Sequence, residues 1–221
     1  MNAREILNYL EMLANHSLWI NFSMHIVALI ALFSILVETK ENLRQWIFQA
    51  AVSILLLSVT INALVFGNHF HAVTFGILAL TVLVQLFVKR ETIQITKSKW
   101  IMTIALLFIF MGLWYPEFID KNALMLLVVS PLGVIPCPTL LTTLGLLTLI
   151  LPSVNKFQYL IIIIMGIVYG VIGVFIFKVY LDITLLILAL YASSLYFKDF
   201  RQAKYGKFTK TAKCKSAVKR P

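Results

Sequence analysis

Seven long apolar stretches, at residues 18–37, 46–66, 72–88, 100–115, 123–151, 158–177 and 182–197, constrain this chain more than any other feature. A helix needs roughly 20 mostly apolar residues to cross about 30 Å of hydrocarbon, and the loops between the stretches are too short to form a soluble domain. Backbone polar groups in lipid must bond to one another, which leaves helices or a closed barrel. Barrel strands alternate apolar and polar residues, whereas these runs are continuous. The sequence therefore reads as an all-α, polytopic integral membrane helix bundle of about seven transmembrane helices. Residues 1–17 precede the bundle at 18–197, and residues 198–221 follow it. Composition agrees, since 61% of the residues are hydrophobic and only 13% are charged.

Lys and Arg set the expected orientation. Lys40 and Arg44 follow the first stretch, Lys89, Arg90, Lys97 and Lys99 the third, Lys156 the fifth and the basic tail the seventh, all on one side. The opposite loops hold Asn68 to His71, then Glu117, Asp120 and Lys121, then Lys178 and Asp182. The positive-inside rule places the N-terminus outside and the C-terminus in the cytoplasm. Re-entry by 123–151 instead of crossing is the alternative, and it would put Lys156 outside. Residues 1–17 carry Arg4 against Glu5 and Glu11, unlike the basic start of a signal peptide, so the first stretch is expected to remain in the mature protein. Ile6, Leu10, Leu13 and Ala14 share one side of an amphipathic helix there, expected along the outer surface.

The net charge of +10 resides mainly in the tail, where residues 198–221 hold nine Lys or Arg against one Asp. At about 1 kcal/mol per basic residue near an anionic leaflet, the tail is expected on lipid headgroups. Charge without a fold to present it does not point to nucleic acid. Cys137 and Cys214 form neither a disulfide framework nor a CxxC motif.

The fifth stretch contains SPLGVIPCPTLL, with Pro131, Pro136 and Pro138 inside eight positions. Each proline lacks a backbone donor and disfavours helix in the residue before it, and Gly133 adds freedom between them. The expectation is a half-helix over about 123–130, an irregular turn containing Cys137, and a second half-helix from Thr139, whose hydroxyl would cap its start. Broken helices at membrane depth point to a transporter's binding site, while a packed kink is the plain alternative. If the break binds a ligand, Cys137, Thr139 and the carbonyls near Val134 and Ile135 would touch it.

Asn21 and His25 lie four apart in the first stretch, and Asn62 reaches a similar depth from the second. They read as a bonded staple or as the outer approach to a site, with His25 and Asn62 lining it. His69 and His71 alternate in an outer loop, and with His25 and Cys137 they are the available metal or haem ligands, at no recognised spacing. The central part of every stretch lacks Asp, Glu, Lys and Arg, and no HExxH, GxSxG or paired carboxylates occur. Nothing favours catalysis or proton-coupled transport. Gly166, Gly170 and Gly173 form a small-residue face suited to close helix packing, within the bundle or against a second copy.

Asn15 and Trp19, Phe66, Phe75–Gly76, Gln85, Tyr115–Pro116, then Pro136–Cys137–Pro138–Thr139 with Thr143 and Gly145, and finally Gly166 and Asp182, form a further pattern. It resembles one of the uncharacterised families of bacterial multi-pass membrane proteins marked by a PCPT sequence. The likeness spans roughly residues 10–195 and omits the tail, and the segment from Tyr115 to Pro136 is longer than in that family. The resemblance implies a bacterial inner-membrane protein and supplies no activity, cofactor or substrate. Three functions stay open from sequence: binding or passage of a small solute or ion at the broken helix, a metal- or haem-binding redox protein, and a non-catalytic subunit of a membrane complex.

Overall fold

Long runs of Leu, Ile, Val, Phe and Ala satisfy their own backbone groups as helices. The computed structural model describes residues 3–37, 40–87, 92–151 and 153–198, among which no strand occurs. The helices among them are α1 (Ala3–His16), α2 (Leu18–Leu36), α3 (Glu41–Val65), α4 (His69–Phe87), α5 (Lys99–Leu113), α6 (Ala123–Val129), α7 (Pro136–Leu149), α8 (Lys156–Val171) and α9 (Tyr180–Lys198). A π-helical turn at Ile172–Phe177 continues α8, and a 3-10 turn at Tyr180–Asp182 opens α9. Most of the basic tail, with Cys214, lies outside the described residues.

Five of these helices are long and apolar enough to cross a membrane: α2, α3, α4, α8 with its π turn, and α9. The other two apolar stretches give shorter helices, α5 with 15 residues and α7 with 14. At 1.5 Å per residue these extend about 21–23 Å. Side chains sort in the manner of a lipid-facing bundle. In α2 the buried set is Asn21, His25, Ala28, Ala31, Ser34 and Ile35, while Ile26, Leu29, Ile30 and Phe33 are exposed. Small and polar residues face inward, where helix backbones approach, and bulky apolar ones face out.

Helix α7 is the axis of the bundle, with Thr139 through Leu149 all buried. It runs antiparallel to α5: the Thr96 amide donates to the Leu149 carbonyl (2.9 Å) at one end, and the Ser130 hydroxyl donates to the Leu113 carbonyl (2.7 Å) at the other. Glycines let the two backbones meet. A β-carbon on Gly145 would lie 3.2 Å from the Ala105 carbonyl oxygen, and one on Gly112 would lie 3.0 Å from the Pro138 carbonyl oxygen.

The expected break is present, but its second half begins three residues earlier than the sequence suggests. Ser130 and Ile135, each preceding a proline, are extended. Pro136 then occupies the first turn of α7, so Cys137 lies on the helix and not in the turn. A helix start leaves four backbone amides without an intrahelical acceptor, and this one is buried. The Ile135 amide bonds to the Pro131 carbonyl (2.9 Å), and Pro136 and Pro138 have no amide hydrogen to bury. Of the four positions, only the Cys137 amide is left over. Thr139 does not cap the start of α7. Its hydroxyl accepts from the Gly133 amide (2.8 Å) and donates to the Ile135 carbonyl (2.8 Å), closing the turn on itself. Gly133 takes φ +73°, the left-handed region where glycine is unstrained.

This arrangement gives the prolines a structural duty. Pro136→Ala with Pro138→Ala would introduce two amide donors at a buried helix start, at about 1–3 kcal/mol each. A lower thermal unfolding midpoint in detergent is expected, and an unchanged midpoint would contradict the role assigned to them.

Candidate functional site

The start of α7 opens into a cavity of about 210 Å³ whose walls come from α1, α4, α7, α8 and its π turn, and the start of α9. Its polar end is built around Asp182, which is only 3% exposed. The Tyr115 hydroxyl donates a hydrogen bond to Asp182 Oδ1. Cys137 and Asp182 line the same cavity. The Tyr115 ring is itself fully buried beside this carboxyl group. On its other side the carboxyl group presses against Gly173 of the π turn, where a β-carbon would lie 2.6 Å from Asp182 Cγ.

Aromatic side chains make up much of the remaining wall. The Tyr169 hydroxyl shares a hydrogen bond with His71 Nδ1 (2.9 Å), and the two rings lie 5.4 Å apart. Phe70 stands 6.2 Å from the Tyr169 ring and Phe75 meets it edge-on at 5.7 Å. His71 is placed by Asn68, whose side-chain oxygen accepts the His71 amide (3.1 Å) at the start of α4. Phe118, also lining the cavity, has φ +70°, a strained conformation for a bulky residue. The Asn15 side chain holds that strained peptide, donating to the Phe118 carbonyl (2.9 Å). Helix α1 lies against this region with Leu10, Leu13 and Ala14 buried, and Leu10 closes one side of the cavity.

The residues singled out from sequence separate into three groups. Cys137, Ile135 and Pro136 line the cavity, as do His71 and Gly173. Thr139 and Val134 are buried and do not line it, and the Ile135 carbonyl accepts from Thr139. His25 and Asn62 stand apart from the cavity wall. His25 Nδ1 lies 2.8 Å from the Asn21 carbonyl, and its Nε2 lies 3.0 Å from the Leu113 carbonyl and 3.2 Å from the Ser130 hydroxyl. Asn21 donates to the Ala14 and Val129 carbonyls, whereas Asn62 turns back to Ser58 of its own helix (2.9 Å). The staple thus joins α2 to the ends of α1, α5 and α6, without Asn62. Asn21→Leu is expected to leave those two carbonyls short of a donor and cost about 1–3 kcal/mol. Thermal unfolding in detergent measures this loss, and an unchanged midpoint would remove the staple.

Of the four candidate metal ligands, only His71 and Cys137 share the cavity, and His69 is exposed at the start of α4. Among the described residues no three His, Cys, Asp or Glu side chains are grouped to hold a metal ion. The glycine face packs within the chain: Gly166 meets Ala189 and Leu185, Gly170 meets Leu186, and Gly173 meets Asp182. Asp182 and Tyr115 are the site residues that chain-local reasoning missed. The loop reading of the sequence sets Asp182 on the outer side with Lys178, yet it is buried in the bundle. Both residues belong to the pattern of family resemblance, which was the available signal.

A family described as "Family of unknown function (DUF6064)" matches residues 8–207. Neither a curated protein nor a solved structure matches the chain.

Proposed function

Because the chain belongs to that family of unknown function, whose name carries no activity, we propose a function from the cavity itself: it binds a small solute or ion, for storage or passage, at the break between α6 and α7. The observation that carries this reading is the convergence of Cys137 and Asp182 on one cavity from distant parts of the chain, with Tyr115 bonded to Asp182 from a third. A buried carboxylate beside an apolar space is disfavoured unless a counter-charge pairs with it. Packing alone would fill such a space with side chains. Broken helices near the middle of a bundle are where carriers place their sites.

The protein on this reading sits in the bacterial inner membrane with all seven apolar segments crossing, α6 and α7 together making the fifth. The distribution of Lys and Arg supports a topology with the N-terminus outside and the basic tail facing the anionic headgroups of the cytoplasmic leaflet.

Thiol alkylation tests the cavity directly. In full-length protein carrying Cys214→Ser, N-ethylmaleimide is expected to modify Cys137 while the chain stays folded. Leu10→Trp, which fills the cavity from α1, is expected to slow that reaction at least tenfold. Modification of Cys137 only on unfolding would contradict the reading. Stoichiometric metal or a Soret band in the same preparation, lost in Cys137→Ser, would replace it with the redox alternative.

A further inference from the structure

The polar end of the cavity has a donor but no cation. Asp182 receives a hydrogen bond from the Tyr115 hydroxyl, and Cys137 lines the cavity with it. Among the described residues no Lys or Arg side chain pairs with it. Lys178, its nearest cation in sequence, is exposed and borders an adjoining outer pocket without lining the cavity. A buried carboxylate without a cation is strongly disfavoured, and a cation bringing hydrogen-bond donors would offset that.

The surroundings favour the same kind of guest. Phe70, Phe118 and Tyr169 line the cavity, and aromatic faces attract a cation within about 6 Å. The adjoining outer pocket is bordered by Glu11, Glu117 and Asp120 against Lys178 alone, and it shares Phe118, Phe177 and Val179 with the cavity. An approach with three carboxylates and one ammonium concentrates cations and repels anions. Size limits the guest further: an apolar cavity of about 150 Å³ holds a benzene ring, so about 210 Å³ holds such a body with a short polar arm.

Resting on the reading that the cavity takes a solute, we infer that the solute is a small organic cation, an ammonium group on an apolar body of about benzene size. The ammonium pairs with Asp182, the apolar body lies among the aromatic rings, and the acidic outer pocket is its entrance.

The experiment uses two probes of nearly equal shape, benzylammonium and benzyl alcohol, as protectants of Cys137 against N-ethylmaleimide in the full-length Cys214→Ser protein. Benzylammonium is expected to protect at a concentration at least tenfold below that of benzyl alcohol. Asp182→Asn, which keeps an acceptor for Tyr115, is expected to erase this preference. Glu117→Gln with Asp120→Asn lies outside the cavity's polar end, and it is expected to weaken benzylammonium protection about threefold at low salt and not at high salt. Equal protection by both probes would overturn the cation inference while leaving a solute-binding cavity. Alkylation unaffected by benzylammonium would also overturn the inference alone. A Cys137 that resists alkylation in the folded protein would overturn both.

Discussion

Gly173→Ala is expected to abolish protection of Cys137 by any occupant of the cavity and to lower the unfolding midpoint. A β-carbon at this position would lie 2.6 Å from Asp182 Cγ and 2.8 Å from its Cβ, closer than carbon atoms can approach. Neither side can yield freely. The Gly173 carbonyl accepts the amides of both Lys178 and Val179, which fixes the π turn against the start of α9. Asp182 is tied to Tyr115 in turn. The added methyl therefore displaces the carboxyl group or opens the turn, at about 1–3 kcal/mol for overpacking. Gly166→Ala supplies the comparison on the same helix. Its nearest neighbours are side-chain carbons at 3.1 Å and beyond, so the effect on stability is smaller and the cavity is left intact. Equal effects from the two substitutions would show that the glycine face serves packing alone.

Gly112→Val is expected to have the largest effect on stability. Gly112 lies where α5 crosses the first turns of α7, and a β-carbon there would meet the Pro138 carbonyl oxygen and the Thr142 amide nitrogen, each at 3.0 Å. These are backbone atoms of the central buried helix, so the clash is not relieved by a rotamer change. Moving α5 outward also pulls Leu113 from Ser130 and His25, which both reach its carbonyl. A loss of about 3 kcal/mol or more follows from overpacking combined with broken bonds. Size-exclusion chromatography and thermal unfolding in detergent measure it, and a wild-type midpoint would mean that α5 and α7 are not held at this distance.

Local chemistry made the bundle readable. Continuous apolar runs fixed the helical class, and three prolines within eight residues marked the broken helix. The register of the break was harder, because a proline disfavours helix before itself yet suits the first turn of a helix. Pro136 and Pro138 therefore start α7 instead of delaying it. The site was less visible still. Its central hydrogen bond joins Tyr115 and Asp182 across 67 residues, beyond any helical or loop periodicity. Hydropathy treats a charge at the end of an apolar run as a loop residue. Here a π turn, the left-handed Lys178 (φ 58°) and a 3-10 turn fold the connection back, so that Asp182 enters the interior. His25 and Asn62 illustrate the opposite limit. Similar depth in two helices does not make two side chains meet when each has a carbonyl nearby.

Native mass spectrometry of the full-length protein released from detergent, titrated with benzylammonium and with benzyl alcohol, tests the ligand site most directly. The expected result is one bound probe per chain, absent from Leu10→Trp, with the ammonium bound at the lower concentration. Binding that survives Leu10→Trp, or no bound probe in the unsubstituted protein, would contradict a ligand site at the α6–α7 break.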